Sequence, residues 1–419
     1  MTGRRMFEIC MFDLDDTLVR TWDLKEVREA CKNNSAAKNV KAVKAGLQSG
    51  PERRIYGLAL LKAIREAHPD LKLGVFTRSP RSYVDTVLAW AYPGFAWDIV
   101  VAYEDVTRTK PWGDGIDKAM KDFGVEYLDR VMLVGDSDVD LRAAYHCGCL
   151  AILNRSGWPA TRRFEHWAAL ELVADAIIDE PDAVLDVLAA PNTFLPELER
   201  LLSDEEGRAG SVRFDKVSHF APRGFGLDKI AFPVHVCGRS FTNYESVAYR
   251  RQWHVLTQSI EAHKDADQFS EEWIQAIRTF ITVEFSPLLK AANVIVTVIP
   301  RRPGRKARLE ALLAQLEMSL TENPIKRRNV TVAPTLLGFK DGVKSQHNDH
   351  LNREQRFVNA RDHLELRSPQ LLAGGKSVLI LDDVVTTGAS LICATACLRG
   401  AGVADVKCLA IAKSISDVL

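Results

Sequence analysis

Short apolar runs alternate with stretches of helical periodicity along the first half of the chain. The apolar runs are typical of buried parallel strands, which bury both faces. Strands are predicted at residues 7–12, 72–76, 98–102, 130–134 and 150–153. The segments between them repeat apolar residues at helical spacing, as at 57–67, 82–90 and 141–147. This alternation predicts a doubly wound sheet, whose ligands bind at the carboxyl ends of the strands.

The second half repeats the same kind of pattern after a polar interval. Residues 191–227 are rich in proline, glycine and charge, which favours a linker. Two long helical patterns follow at 245–263 and 270–289, and strands are predicted at 293–299, 330–333, 377–381 and 406–412. A chain of 419 residues also exceeds what one hydrophobic core usually spans. The predicted fold class is therefore α/β, with two doubly wound parallel-sheet domains at 1–190 and 228–419.

Composition excludes several classes of protein. The 55 basic and 55 acidic residues give a formal net charge of zero, so no overall field favours nucleic acid or a membrane surface. No apolar stretch approaches the roughly 20 residues of a membrane span, and the first residues do not resemble a signal peptide. The eight cysteines lack zinc-site spacing. We predict a cytoplasmic protein with no membrane partner.

Acidic residues directly follow the first predicted strand. Asp13 and Asp15 lie two positions apart, which places both side chains on the same side of an extended chain. Such a pair can hold Mg²⁺ while one carboxylate attacks phosphorus and the other moves a proton. Thr77 follows the second strand, Lys110 follows the third, and the acidic run 136–140 follows the fourth. Together they predict a phosphate site at one edge of the sheet.

This order of motifs resembles the haloacid dehalogenase-like hydrolase superfamily over roughly residues 6–190. The superfamily's motifs are Asp-x-Asp-x-Thr, a Thr or Ser, a Lys, and Gly-Asp-x-x-x-Asp, and each is present here. The resemblance implies a Rossmann-like fold, an aspartyl-phosphate mechanism and a Mg²⁺ cofactor. It assigns roles residue by residue: the nucleophile is Asp13, the general acid and base is Asp15, the phosphate holders are Thr77 and Lys110, and the metal site comprises Asp13, Asp15, Asp136 and Asp140. The insert at about 20–54 resembles a small cap.

A second acidic pair precedes a hydroxyl-rich loop near the end of the chain. A predicted strand runs into Asp382 and Asp383, and a helix is predicted to start just after the loop. Backbone amides at a helix start suit a dianionic phosphate, and Gly388 allows close approach. The acidic pair could accept hydrogen bonds from sugar hydroxyls, so the spacing predicts a ribose 5-phosphate site. The loop residues are Thr386, Thr387, Gly388, Ala389 and Ser390.

The run 378–390 resembles the phosphoribosyl pyrophosphate (PRPP) signature of type I phosphoribosyltransferases. Ser390 stands where threonine is commoner. Further residues resemble the pattern of the ComF-like members of that family: Gln346, Leu351, Glu354, Arg356 and Asn359. The chain departs from that pattern in the inserted residue Gln355 and in the lack of the amino-terminal cysteine module. The resemblance covers about residues 230–419 and implies a type I phosphoribosyltransferase fold.

Basic residues gather before the second acidic pair. A pyrophosphate leaving group needs cations where its charge develops. Arg301, Arg302, Lys344 and Arg356 are the candidates for that task, whereas Arg305 and Arg308 are interpreted as a solvated helix face. A nucleic-acid patch fits less well, because base-stacking aromatic residues are not interleaved here.

These patterns predict a bifunctional enzyme, a Mg²⁺-dependent phosphohydrolase joined to a phosphoribosyltransferase that acts on PRPP or a nucleotide. The two activities could be coupled, through hydrolysis of released pyrophosphate or removal of the product's 5-phosphate. Two alternatives remain open. The second domain could be a sensor that binds PRPP or a nucleotide without turning it over, or the hydrolase could trim nucleic-acid ends. The base, the phosphoester, the oligomeric state and the pathway are not specified by the sequence.

Overall fold

In the computed structural model, the described residues are 6–33, 37–49, 52–227, 229–287, 291–302, 304–344 and 351–419. The chain divides into two compact units. Unit 1 comprises Met1–Phe194, Phe241–Trp253 and Ile415–Leu419, and unit 2 comprises Leu195–Ser240 and His254–Ser414. The predicted domain boundaries at 190 and 228 stay predictions.

Unit 1 is built on a six-stranded parallel sheet, which confirms the predicted fold class. Its strands are β1 (Ile9–Phe12), β2 (Lys72–Phe76), β3 (Ile99–Val101), β4 (Val131–Gly135), β5 (Leu150–Asn154) and β6 (Ala176–Ile178). The strand order is β3-β2-β1-β4-β5-β6. The central strand β1 therefore lies between β2 and β4, and the carboxyl ends of these strands meet at one edge.

Helices cover this sheet because β1 buries both of its faces. Cys10 and Phe12 pack into one apolar core, whereas Ile9 and Met11 point into another, as the period of two in a strand requires. The helices of the first part of the chain are α1 (Lys25–Asn33), α2 (Ala37–Gln48), α3 (Leu58–Ala67), α4 (Arg81–Ala91), α5 (Asp114–Phe123), α6 (Asp138–Cys147), α7 (Phe164–Leu172) and α8 (Ala183–Ala189).

The segment predicted to contain the linker has regular structure. It includes α9 (Glu197–Leu202), α10 (Glu205–Arg208) and β7 (Asp215–His219). Strand β7 pairs with β8 (Phe232–Val236) in antiparallel register. Proline and glycine therefore mark turns here, while the residues between them join the second sheet.

Unit 2 contains a mostly parallel seven-stranded sheet. Its order is β11-β10-β14-β15-β8-β7, and β9 also pairs with β15. All described pairings among β11, β10, β14, β15 and β8 are parallel. The remaining strands are β9 (Arg239–Phe241), β10 (Ala292–Val298), β11 (Arg328–Val332), β14 (Ser377–Val385) and β15 (Val406–Ile415). A separate two-stranded antiparallel sheet is formed by β12 (Leu337–Phe339) and β13 (Leu364–Leu366).

The two long helices predicted in the second half are shorter than expected. The pattern at 245–263 is two helices, α11 (Ala248–Trp253) and α12 (Val255–Ala262), because the His254 side chain caps α12 by accepting a hydrogen bond from the Thr257 amide. The pattern at 270–289 is α13 (Glu271–Glu284), which ends before Pro287; residues 288 and 289 lie outside the described residues. The remaining helices are α14 (Arg308–Glu322), α15 (Arg353–His363) and α16 (Ala389–Gly400). None of the helices in the described part of the chain combines the length and hydrophobicity needed to cross a bilayer.

The segment that carries α11 returns to unit 1. Arg250, on this helix, forms a buried ion pair with Asp175 and donates a hydrogen bond of 3.0 Å to the carbonyl of Cys149. Breaking a buried pair leaves an uncompensated charge, so this contact fixes the segment to the first sheet. Sequence periodicity could not reveal this return, because the partners lie 75 and 101 positions apart.

Candidate active sites

Four predicted site residues of unit 1 meet at the carboxyl edge of its sheet. Asp13 follows β1, Thr77 follows β2, Asp136 follows β4, and Lys110 lies in the loop after β3. Since these strands are neighbours in the sheet, the four side chains line one cavity of about 450 Å³. Strand order therefore explains how residues more than 120 positions apart reach one pocket.

Three buried carboxylates in this cavity form a metal-sized group. Ligand oxygens of Asp13, Asp136 and Asp140 all lie within 4.8 Å of one another. Burial raises the pKa of Asp13 well above its ordinary value, although Lys110 opposes the change. Burial, followed by the charge of Asp140, also raises the pKa of Asp136. Three carboxylates crowded in this way offer the oxygen ligands that Mg²⁺ prefers, so the donor set fits this cation.

Lys110 places a buried positive charge next to the carboxylate group. Its Nζ donates to Asp13 Oδ1 at 2.5 Å and to Asp140 Oδ1 at 2.6 Å. Burial disfavours the ammonium, but these two carboxylates outweigh that effect and raise the pKa of Lys110. The other oxygen of Asp140 accepts hydrogen bonds from the Ser137 amide and hydroxyl. Lys110 therefore stays charged beside the predicted nucleophile.

Asp15 lies in the same cavity but outside the group of three carboxylates. Its Oδ1 accepts from the hydroxyls of Thr21 at 2.6 Å and Tyr83 at 2.8 Å. Its Oδ2 accepts from Ser79 Oγ at 2.5 Å and lies 3.1 Å from Arg28 Nη1. The structure does not bring this carboxylate together with the other predicted metal ligands. The contacts instead hold it in the cavity with Asp13, the predicted nucleophile, where a proton-transfer group would be needed.

Neighbouring side chains orient Thr77 and Asp136. Thr77 Oγ1 accepts a hydrogen bond from the Ser79 amide at 3.2 Å, which leaves its own proton available for a ligand. Asp136 accepts from Thr17 Oγ1 at 3.1 Å, and its carbonyl accepts from Trp158 Nε1 at 2.9 Å. These hydrogen bonds fix the conformations of the loops that follow β2 and β4 before a ligand binds.

The insert predicted to be a small cap supplies part of the cavity wall. It forms α1 and α2, and α1 contributes both basic and acidic side chains to the cavity: Lys25, Arg28, Glu29 and Lys32. The Arg28 contact to Asp15 links this insert directly to the chemistry of the site.

The acidic pair of unit 2, Asp382 and Asp383, lies near the carboxyl end of strand β14. Asp382 Oδ1 accepts from the Asp383 amide at 3.0 Å, and Asp383 Oδ1 accepts from the Val384 amide at 2.7 Å. Burial and the adjacent Asp383 raise the pKa of Asp382 well above its ordinary value. A partly desolvated carboxylate with few donors is suited to receive hydroxyl groups from a ligand.

The predicted phosphate loop leads from this pair into α16. Thr386, Thr387 and Ser390 are at least partly accessible, and Ala389 begins the helix. Gly388 precedes the helix with φ of 70°, in the left-handed region. A Cβ added there would lie 2.5 Å from Cγ of His219, at the end of β7. Both the backbone angle and this close approach therefore require glycine.

His219 is buried, and its Nε2 has no hydrogen-bond partner among the described residues. Burial, with Lys413 and Arg353 nearby, lowers the pKa of His219 to about 3. The imidazole of His219 thus binds a proton far less readily in the folded state than in the unfolded state, where its reference pKa is 6.5. Stability contributed by neutral His219 is present above pH 6.5 and is lost as the pH falls toward 3.

We therefore expect a pH-dependent difference between wild type and His219→Gln. Relative to the variant, the wild type should lose about 1.4 kcal/mol of unfolding free energy per pH unit below about 6.5, because only its unfolded state takes up the proton. Urea denaturation of both full-length chains at pH 7.5 and 5.5 measures this difference. An unchanged difference between the two pH values would contradict the assignment.

The predicted pyrophosphate-side residues are linked by contacts between two loops. Arg302 Nη1 donates to the Lys344 carbonyl at 2.7 Å, and the Lys344 amide and carbonyl both bond to the side chain of Asn359. Burial lowers the pKa of Arg302, while Asp382 opposes that change, so these two groups lie within electrostatic range. Arg301 and Lys344 are exposed.

Two further basic residues lie near this group. Arg356 Nε donates to the Leu351 carbonyl at 2.8 Å, and its charge acts on Arg302. Arg308 was expected on a solvated helix face, but its Nη1 lies 3.1 Å from Asp383 Oδ2 and its side chain is mostly buried. That interpretation of Arg308 is wrong, because the start of α14 faces the end of β14. Gln346 lies outside the described residues.

Comparison with known families distinguishes the two units. Residues 58–153 match the family described as haloacid dehalogenase-like hydrolase. Residues 312–418 match the phosphoribosyl transferase domain family. Each match spans less than half of the chain. Together they support the predicted fusion of a haloacid dehalogenase-like hydrolase domain and a phosphoribosyltransferase domain.

Solved structures resemble part of the chain only weakly. A predicted phosphoglycolate phosphatase from Haemophilus somnus is 19% identical, with 44% of this chain and 99% of that chain covered and a TM-score of 0.34. A putative beta-phosphoglucomutase from Thermotoga maritima is 16% identical over 43% and 98% of the two chains, with a TM-score of 0.32. CbbY from Rhodobacter sphaeroides, solved with phosphate, is 20% identical over 42% and 95%, with a TM-score of 0.31. No curated protein matches the sequence significantly.

Several residues of both sites were not found from the sequence. In the hydrolase domain, Arg28 and Tyr83 hold Asp15 from helices that carry no motif. Ser79 had a weak signal, since it lies two positions after Thr77 in the same loop. In the phosphoribosyltransferase domain, His219 comes from the segment interpreted as containing the linker. Only the packing of distant elements reveals these side chains.

Proposed function

We propose that the hydrolase domain is a Mg²⁺-dependent phosphomonoesterase with an aspartyl-phosphate intermediate. The observation that carries the proposal is the buried group of Asp13, Asp136 and Asp140 beside Lys110. A Mg²⁺ ion held by the three carboxylates would offset their charge and that of the substrate phosphate. Such neutralisation would allow a carboxylate to approach a phosphate dianion.

The side chains of the cavity suit a two-step displacement. An oxygen of Asp13 attacks phosphorus, the bond from phosphorus to the leaving oxygen breaks, and Asp15 gives that oxygen its proton. Thr77 and the amides after it hold the phosphate oxygens. Water then attacks the phosphorus of the acyl-phosphate, Asp15 takes the water's proton, and phosphate leaves with Asp13 restored.

We further propose that the second domain transfers ribose 5-phosphate between pyrophosphate and a base. The loop 386–390 would bind the 5-phosphate, while Asp382 and Asp383 would accept hydrogen bonds from the ribose hydroxyls. Arg301, Arg302, Lys344 and Arg356 would receive the pyrophosphate. The motif at Glu354, Arg356 and Asn359 supports a ComF-like type of transferase.

The two activities are proposed to act in sequence, and one assay tests this. The purified chain, PRPP, Mg²⁺ and a panel of bases should release inorganic phosphate faster than the same mixture with Asp13→Asn. Equal phosphate release by both proteins would contradict coupling. Absence of pyrophosphate in the Asp13→Asn reaction with every base would contradict transfer and favour a domain that only binds PRPP or a nucleotide.

A further inference from the structure

Large aromatic side chains are exposed beside the cavity of unit 1. Trp22 is 64% exposed, Phe164 is 84% exposed and Trp167 is 53% exposed. A single exposed aromatic residue is ordinary, but a group of them at the mouth of a charged pocket indicates a binding surface. We call the group formed by Trp22, Arg162, Arg163, Phe164 and Trp167 the aromatic rim.

Arg163 connects the aromatic rim to the cavity, and Arg162 packs within the rim. The guanidinium of Arg163 lies 5.9 Å from the centroid of the Trp22 ring, and that of Arg162 lies 4.9 Å from the Trp167 ring. Arg163 also lines the cavity and lies 3.6 Å from Asp16, in the loop that carries the predicted catalytic residues. The rim is therefore continuous with the wall of the phosphate site.

The aromatic rim is anchored to the metal-binding loop through Trp158. Arg162 lies 5.4 Å from the centroid of the Trp158 ring, and the same ring stacks on His166 at 4.7 Å. Trp158 Nε1 donates to the carbonyl of Asp136, a member of the carboxylate group. A ligand on the rim would thus lie on a supported surface and not on an isolated loop.

The side chains of the cavity and of the aromatic rim together limit the chemical class of ligand that fits. The cavity is lined mostly by charged and hydroxyl side chains, which suit a phosphate and a sugar. The rim offers flat apolar rings and guanidinium planes, which suit a planar heteroaromatic group. A nucleoside 5′-monophosphate carries both parts on one molecule, and stacking of a base on an aromatic side chain strengthens binding by about 5- to 150-fold.

We propose that the aromatic rim binds the base of a nucleoside 5′-monophosphate whose phosphate is hydrolysed in the cavity. This inference rests on the proposed phosphomonoesterase and names its substrate class. A free mononucleotide is favoured over a nucleic-acid end, because the chain has no net positive charge to hold a polyanion.

The test compares two substrates that share ribose and phosphate. Adenosine 5′-monophosphate has a base, and ribose 5-phosphate does not. In the double variant Trp22→Ala/Trp167→Ala, the ratio of kcat/KM for the nucleotide to kcat/KM for ribose 5-phosphate should fall about tenfold or more. Tyr127→Ala is the matched control, since Tyr127 is 57% exposed and carries the Arg130 guanidinium 4.5 Å from its ring, but does not line the cavity. An unchanged ratio in the double variant would overturn the proposal, as would an equal fall in the control.

Two further measurements separate this inference from the proposed function. The first measurement is calorimetric titration of adenosine 5′-monophosphate into Asp13→Asn and into the same variant that also carries Trp22→Ala and Trp167→Ala. The protein that lacks the two tryptophans should bind the nucleotide at least tenfold more weakly. Any binding to another part of the chain is the same in both proteins and cancels in the comparison. This comparison tests whether the aromatic rim binds the base, whatever the role of Asp13 in hydrolysis. If hydrolysis by the wild type proved independent of Asp13, only the proposed aspartyl-phosphate mechanism would be overturned. Faster hydrolysis of a 5′-phosphorylated oligonucleotide than of the mononucleotide would overturn the assignment to free nucleotides.

Discussion

Replacing Asp13 with asparagine is expected to lower kcat for phosphomonoester hydrolysis by at least about 10⁴-fold while the chain stays folded. The amide has the same shape but is a poor nucleophile toward phosphorus. Folding should survive, because Lys110 keeps its contact with Asp140 at 2.6 Å and one crowded buried carboxylate is removed. Steady-state release of inorganic phosphate and thermal denaturation measure the two effects.

Asp138→Asn provides the control for this substitution. Asp138 lines the same cavity, but it pairs with Arg142 at 3.0 Å and is not in the carboxylate group. Its replacement should change kcat by only a few-fold. If Asp13→Asn retained more than a tenth of the wild-type kcat, Asp13 could not be the nucleophile.

Gly388→Ala is expected to weaken PRPP binding by at least tenfold. The new Cβ would meet the His219 ring at 2.5 Å and would force a side chain into a backbone angle that favours glycine. The loop must therefore shift away from the geometry that presents its amides to phosphate. Calorimetric titration with PRPP and Mg²⁺ measures the loss.

The other end of the same helix supplies a matched variant. Gly400 is the last residue of α16, and no atom of the described residues lies within 4 Å of a Cβ added there. Gly400→Ala should bind PRPP like the wild type and unfold at an equal or slightly higher temperature. Equal PRPP affinity for both alanine variants and the wild type would show that the loop does not bind the phosphate.

Strand-end chemistry was predictable from the sequence, because it depends on local order. Asp13, Thr77 and Asp136 each follow an apolar strand, and parallel strands place such residues at one edge. The same reasoning located Asp382 and the loop before α16. Motif order and the alternation of strands and helices were therefore sufficient to predict the fold class and the grouping of strand-end residues at each candidate site, while the roles of those residues stay predictions.

Contacts between distant elements could not be predicted in this way. The carboxylate of Asp15 is directed by Arg28 and Tyr83, so spacing alone did not show that it lies outside the group of three carboxylates, and its predicted role as a metal ligand stays a prediction. Arg308 lies at the start of a helix whose sequence does not reveal what it faces. His219 packs against Gly388 from strand β7, which lies in a segment whose proline and glycine content predicted a linker.

Direct trapping of the phosphorylated residue tests the account most directly. The chain would be mixed with ³²P-labelled phosphomonoester and Mg²⁺, quenched in acid within milliseconds, digested and mapped by mass spectrometry. We expect a transient label on the peptide that contains Asp13, and none on that peptide in Asp13→Asn. Turnover of the substrate with no label at Asp13, or with the label on another residue, would contradict it.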